Sequence, residues 1–433
     1  MSRLLSTIAL SALALVGGPA LAQDLAITNA TLATGDGGAP IPNATVVVRA
    51  GTVVAAGAGV AVPAGVAAID GTGKWVTPGL FSAVTDLGLS DVEAVDESND
   101  SAADKSPFNA AMDISPALNP TSQHIAVSRE GGVTRATVTP FNGGSIFAGQ
   151  GAVIDLGVDP NLLVKPRAFQ YVELGEAGGR LAGGSRVAAY VYLRNALREA
   201  KEVAALPAGA TRQGDVLLTR ADARALAPVL DGTQPLYVGV DRAADIRSVL
   251  GLKSEFPKLD LVLVGATEGW MVANEIAAAR VPVITMPLRD LPASFEQLGA
   301  TQSNVGRMKK AGVKVAIGMF MGMDQPRYAP QQAGNLVALT KVPGAAGLTW
   351  GEAFAAITSV PAEISGMGGK AGVLAPGAVG DVVLWDGDPL ELSSAPLAVW
   401  IDGVKQPLDN HQSRLKQRYR DLDRSLLPKA YVW

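Results

Sequence analysis

Residues 76–365 predict an α/β fold, a TIM-type (β/α)8 barrel, and three observations carry the prediction. Apolar, strand-like runs recur at residues 135–139, 236–240, 259–264, 281–285 and 313–317. Helical patterns separate them at 187–206, 220–230, 243–256, 271–279 and 304–311, which is the alternation of repeated βα units. The strand runs are almost unbroken in their apolarity, as expected where helices cover one side of a parallel sheet and packed side chains fill the other. The span of about 290 residues suits one barrel.

In chain order, the first 22 residues read as a secretory leader. Arg3 supplies the positive charge, residues 4–16 are apolar apart from small Ser and Thr, and Ala20-Leu-Ala22 provides small residues before a cleavage point at Gln23. The expectation is export, to the periplasm or beyond the cell. Residues 23–75 hold β-branched runs at 24–28, 44–49, 52–56 and 67–70, separated by Gly, Pro, Asn and Asp, and read as a small β-domain. The barrel segment follows at 76–365. Near its end, Thr349 and Glu352 have the spacing of a capping box at a helix start. Residues 366–407 return to strand-turn-strand character, and residues 408–433 form a charged, exposed helical tail.

Composition removes several classes of function. A net charge of −4 over 433 residues gives no electrostatic case for nucleic acid or an anionic membrane. After the leader, no stretch approaches the roughly 18 apolar residues of a membrane span. There is no Cys and there are only two His, so neither a disulfide nor a thiolate ligand or nucleophile is available. His124 lies on the approach to a helix and His411 in the polar tail. Neither has a second ligand at usable spacing, and both read as solvated or capping residues.

The most informative stretch is Val76-Thr-Pro-Gly-Leu-Phe-Ser-Ala-Val-Thr-Asp86, in which residues 74–80 read as one extended strand ahead of a Pro-Gly bend. It resembles the first barrel strand of the amidohydrolase superfamily, in the imidazolonepropionase- and prolidase-like branch. There the motif is Pro-Gly-Leu-Ile-Asp-x-His-x-His, and its two histidines hold a catalytic metal. Four further segments carry the resemblance: Arg129-Glu-Gly-Gly-Val-Thr134, Arg242-Ala-Ala-Asp-Ile246, Leu263 to Trp270, and Ser359-Val-Pro-Ala-Glu363. The run from Gly372 through Pro376-Gly to Asp381-Val-Val-Leu384 is similar to the family's return to a β-sandwich. The resemblance implies that strands from both chain ends pair into one sandwich flanking the barrel. Asp381, in a turn, reads as a cap for backbone N–H groups.

The ligand positions depart from the family pattern. Val84 and Asp86 stand where the first-strand histidines would be, Gly239 and Gly265 replace the histidines of strands five and six, and Phe320 replaces the strand-eight Asp. For the strand-four lysine, Lys165 and Glu173 are both nearby. A held divalent ion needs about three protein ligands, so no cofactor is expected. The alternative is a divalent metal, Zn or similar, held by carboxylates. Asp86, Asp241, Glu268 and Asp324 are the polar candidates near the mouth, with Glu268 best anchored by its flanking signature. The acidic residues of 91–104 read as a solvated loop over the mouth, and 141–150 as a Gly-rich turn without a phosphate-loop lysine.

Two functions follow. One is an exported amidohydrolase-fold pseudoenzyme that binds a small-molecule or peptide-like ligand, or partners itself or an intact family member. The other is a hydrolase of carbon–nitrogen bonds with a non-standard metal site.

Overall fold

At Gly79 the chain passes from one sheet into another. The computed structural model describes residues 22–420 except 93, 208, 213, 323 and 324. The expected leader up to residue 21, Asp324 and the last 13 residues of the tail therefore lie outside the described residues. The strand expected at 74–80 is two strands, β5 (Trp75–Pro78) and β6 (Leu80–Thr85). A Cβ at Gly79 would sit 2.0 Å from Thr134 Oγ1 and 2.2 Å from its Cγ2. Only a residue without a side chain can cross there.

Ahead of that point lie β1 (Leu25–Leu32), β2 (Ile41–Arg49), β3 (Thr52–Ala58) and β4 (Ala67–Asp70). In numbering that continues past the barrel strands β6–β13 defined below, the chain returns as β14 (Val382–Trp385), β15 (Pro396–Ile401) and β16 (Val404–Lys405). These strands and β5 form one eight-stranded sheet in the order β16-β15-β14-β5-β1-β2-β3, with β4 also paired to β1. Both chain ends meet in it, since β5 runs antiparallel to β14 with Val76 opposite Leu384. Hydrogen bonding makes this a single sheet rather than two separate layers. Its apolar face buries Ile27, Leu32, Val46, Val76, Val382 and Trp400.

The second sheet closes into a barrel of eight strands. After β6 come β7 (Val133–Val138), β8 (Phe147–Asp155), β9 (Leu163–Glu173), β10 (Leu236–Val240), β11 (Leu261–Gly265), β12 (Val283–Thr285) and β13 (Val315–Phe320). Six neighbouring pairs are parallel, but β8 is antiparallel to both β7 and β9. The barrel is therefore not a regular (β/α)8 repeat. The segments 139–146 and 156–162 are too short for the crossover that a parallel return demands, and they act as hairpin loops. Residues 147–150, expected to be part of a Gly-rich turn, are the start of β8.

The barrel is filled. Phe169 of β9 and Tyr237 of β10 stack with centroids 4.1 Å apart at 13°, among Phe81, Val153, Val262 and Ile284. An outer cluster joins the strands to the helices. Pro228 lies at the start of a second short helix, so the helical run expected at 220–230 divides into Arg220–Ala225 and Ala227–Asp231. Thr349 and Glu352 form the expected capping box. Among the described residues no helix is long and apolar enough to cross a membrane.

One ion cluster locks the two sheets together. Arg135 on β7 donates through Nε to Asp381 Oδ2 at 2.8 Å and through Nη2 to Asp402 Oδ1 at 2.6 Å. Asp381 Oδ1 also accepts the backbone N–H of Asp402 at 2.9 Å. The cap expected at Asp381 is present, with a buried guanidinium added. Arg135 and Asp381 are 3% and 1% exposed, so neither charge has water to fall back on.

Two outcomes follow for stability. Gly79→Ala should destabilise the chain by about 1–3 kcal/mol in urea unfolding, with partial recovery when Thr134→Ala is added. Arg135→Met should cost about 3–5 kcal/mol because it strands the buried Asp381 carboxylate. The double variant with Asp381→Leu should be more stable than Arg135→Met alone by the same measurement.

Candidate functional site

The C-terminal ends of β6, β9, β10, β11 and β13 converge at one mouth of the barrel, where this architecture places its chemistry. Backbone there is strained. Val84, Ala266 and Met319 have φ of 60°, 47° and 66°, and left-handed backbone at a β-branched residue such as Val84 is costly enough to need support from its surroundings. The Val84 N–H is held by Thr137 Oγ1 at 2.7 Å.

Strand alternation sends Phe169, Tyr171 and then Glu173 of β9 inward, beside Tyr237 and Gly239 of β10. Glu173 pairs in register with Gly239. A Cβ at Gly239 would lie 2.2 Å from Glu173 Oε2 and 2.8 Å from the Tyr171 hydroxyl. The carboxylate of one strand thus fills the space of the side chain that its neighbour lacks, and a side chain at 239 would have to displace it. The Tyr171 hydroxyl donates to Glu173 Oε2 at 3.2 Å.

On the next strand pair, Asp241 fills the equivalent space. A Cβ at Gly265 would meet Asp241 Oδ1 at 2.8 Å. That oxygen accepts from the Thr267 N–H at 3.0 Å and hydroxyl at 2.6 Å, while Oδ2 accepts from Gln297 Nε2 at 2.8 Å. Burial, and then the Asp241 charge, push Glu173 from an ordinary 4.5 up to about 7. Burial and the Glu173 carboxylate push the Tyr171 phenol up as well. Glu173 is the group at the mouth poised to exchange a proton near neutral pH.

Gln297 belongs to a loop that covers the mouth. Its neighbour Glu296 accepts the Glu176 N–H at 2.6 Å and Arg186 Nη2 at 3.0 Å. A cleft of about 710 Å³ opens between this loop and the segment after β9, lined by Glu176, Arg180, Phe295, Glu296 and Gln297 among others. The segment between β6 and β7 is pinned on the flank of β8 by Asp222, which accepts the N–H groups of Asn109 and Ala111.

The expected site residues divide. Gly239 and Gly265 meet at the mouth with Asp241 and Glu173. Val84 packs in the interior cluster, with Met319 and Met321 against it. Phe320 points the other way, into the cluster between barrel and helices, because β13 alternates and the residue on the interior side is Met319. Asp86 is buried, and its Oδ2 accepts the Gly322 N–H at 3.2 Å, tying β6 to the loop after β13. Glu268 is a structural clamp. Its oxygens accept the N–H groups of Ala243 and Gly299, each at 2.9 Å, which holds the N-terminus of helix Ala243–Glu255. Lys165 lies near the opposite end of β9, so Glu173 is the residue at the strand-four position. His124 and His411 sit in the helices Gln123–Glu130 and His411–Arg420. Tyr171 and Gln297 were not anticipated. The two-residue spacing of Tyr171 and Glu173 on a strand is the one signal that pointed to the first, and nothing in sequence pointed to the second.

A metal does not fit this donor set. Among the described residues no three His, Cys, Asp or Glu side chains converge, and both Asp241 oxygens already accept hydrogen bonds.

Residues 266–405 match the model of the Amidohydrolase family. Amidohydrolase tasK of Hapsidospora irregularis is 24% identical over 371 residues, covering 78% of this chain and 37% of its own length. This chain thus spans little more than a third of that relative. An amidohydrolase from Thermotoga maritima MSB8 has a similar structure, with TM-score 0.75 and 24% identity over 88% of this chain and 99% of its own. A prolidase complexed with N-methylphosphonate-L-proline gives 0.53 at 18% identity, covering 88% and 99%. Molinate hydrolase gives 0.52 at 16%, covering 90% and 95%. At such identities the solved structures speak for the fold, and the matched sequence runs from the end of β11 to β16. Over residues 266–405 the chain is thus similar to the Amidohydrolase family, and its fold is that of the solved amidohydrolases.

Proposed function

We propose that the barrel mouth binds a small amide- or peptide-like ligand, and that this chain does not carry out the metal-dependent hydrolysis usual in its superfamily. One observation carries the reading: the Glu173 carboxylate occupies the space that a ligand histidine at 239 would need. Val84, Met319 and Met321 support it, since none offers the oxygen or imidazole donor that holds a hydrolytic divalent ion. Protonated Glu173 offers a hydrogen-bond donor to a ligand carbonyl, and ionised Glu173 accepts from an amide N–H. The leader-like residues 1–22 support an exported protein, periplasmic or secreted. An intact superfamily member or a second copy of the chain is the natural protein partner.

A second reading has its own support. Two carboxylates in unlike surroundings, Glu173 pushed up to about 7 and Asp241 hydrogen-bonded by Thr267 and Gln297, are the arrangement that divides acid and base roles. This favours hydrolysis of a carbon–nitrogen bond by proton transfer from this chain's own side chains.

Metal content separates the main reading from a metal hydrolase. The purified protein should hold less than about a tenth of an equivalent of Zn, Mn, Fe or Ni by elemental analysis. A stoichiometric metal, lost in Glu173→Ala or Asp241→Ala, would overturn it. Turnover of any member of a small-amide panel, abolished by Glu173→Gln, would establish the second reading instead.

Stability against pH tests the site's electrostatics. Folded Glu173 keeps its proton up to about pH 7, whereas the unfolded chain releases it near 4.5. Its stabilising contribution is complete below 4.5 and disappears as pH rises through 7. Glu173→Gln should therefore gain stability relative to the natural chain across that window, in urea unfolding followed against pH. A difference between the two proteins that stays constant with pH would refute the raised value.

A further inference from the structure

Away from the mouth, a cleft of about 440 Å³ lies on the barrel flank beside β8, β9 and the helix Arg220–Ala225. Gln234 lies two residues ahead of β10, so the cleft is toward the N-terminal ends of the parallel strands, opposite Glu173. Its floor is polar and buried, with Gln150 and Gln234 only 6% and 5% exposed. Gln234 Nε2 donates to Gln150 Oε1 at 3.2 Å and to the Arg167 carbonyl at 2.9 Å. Those two acceptors fix the amide's orientation, because the flipped amide would set its oxygen against both. Gln234 Oε1 is left buried with no donor, and a buried acceptor in that state is costly unless something supplies an N–H or O–H.

The rim is cationic. Arg224 is exposed there and has no carboxylate in ion-pair range among the described residues. Arg167 stands beside the cleft with its Nε 3.6 Å from Asp113 Oδ2, too long for a hydrogen bond. Arg167 itself has a left-handed backbone, φ 47°, so the carbonyl that orients Gln234 is held at a conformational cost. Ala221 and Ala225 keep the walls small.

We propose that this cleft binds a small carboxylic acid that also carries an N–H group, an amino acid or N-acylated amino acid. The carboxylate pairs with the guanidinium groups of Arg224 and Arg167, where planar two-point recognition is favourable. The N–H donates to Gln234 Oε1. The site is separate from the barrel mouth and independent of the function proposed for it.

N-acetylglycine is the probe, titrated calorimetrically into the full chain. Its methyl ester, which lacks the charge, and N-acetylsarcosine, which lacks the N–H, are the controls. Saturable binding in the millimolar range or tighter is expected for the acid, with both controls at least about tenfold weaker. Arg224→Ala and Ala221→Trp change exposed positions, so their thermal melts should match that of the natural chain. Each should weaken N-acetylglycine at least about tenfold, the first by removing the cation and the second by filling the cleft. Absence of saturable binding, equal binding of either control, or undiminished binding in both variants would overturn the assignment.

Discussion

The carboxylate of Glu173 lying in the notch left by Gly239 is the constraint on which the barrel mouth depends. A glycine on a barrel strand normally leaves a void or a close backbone approach. Here the void is taken by the neighbouring strand's side chain in the same register, and the Asp241–Gly265 contact repeats the device. The two contacts bring the carboxylates of two strands close enough for Asp241 to raise the proton affinity of Glu173. The mouth is built around carboxylates, a phenol and amide donors. At the edge Arg186 supplies positive charge, reaching Glu296.

The covering loops depend on the same groups. Gln297 is anchored on Asp241, and Gly299 on Glu268, so the loop after β12 is fastened by the strand ends it covers. Glu268 illustrates how a carboxylate at a barrel strand end can be structural. Both of its oxygens accept backbone N–H groups, so moving it toward a ligand would release the start of a helix and the covering loop. Its environment differs from that of Glu173, which accepts from the Tyr171 phenol.

The reversed strand β8 changes the barrel's shape without opening it. Parallel neighbours on six sides keep five strand ends at one mouth, while the hairpins at 139–146 and 156–162 leave the flank of β8 and β9 without the helices of a regular repeat. Segment 105–118 and the helices near Asp222 cover some of that flank, as shown by the bond from the Gln150 N–H to the Met112 carbonyl. The cleft floored by Gln150 and Gln234 lies there. Arg135 completes the scaffold by joining β7 to both Asp381 and Asp402, so barrel and second sheet share one buried charge cluster.

Local signals were sufficient for most of the scaffold. The apolar runs of β10, β11 and β13 and the helices between them are readable because periodicity and capping are written in adjacent residues, as in Thr349 and Glu352. The motif from Val76 to Asp86 carried the resemblance, which implied a sandwich from both chain ends, and the structure joins those ends in a single sheet. Three things lay beyond the sequence. The inversion of β8 hides in a Gly-rich segment whose strand and turn readings compete. The side on which Phe320 points depends on strand alternation after a left-handed Met319, and residue spacing does not report that twist. The site itself is a matter of contact between strands: Glu173 and Gly239 are far apart in the chain, and only barrel closure in register places the carboxylate where the missing side chain would be. Sequence determined the resemblance and the scarcity of donors, two His and no Cys, because both are matters of residue identity. Tertiary structure decided what lies against Gly239 and Gly265, because packing is a property of neighbours that the chain brings together only when it closes.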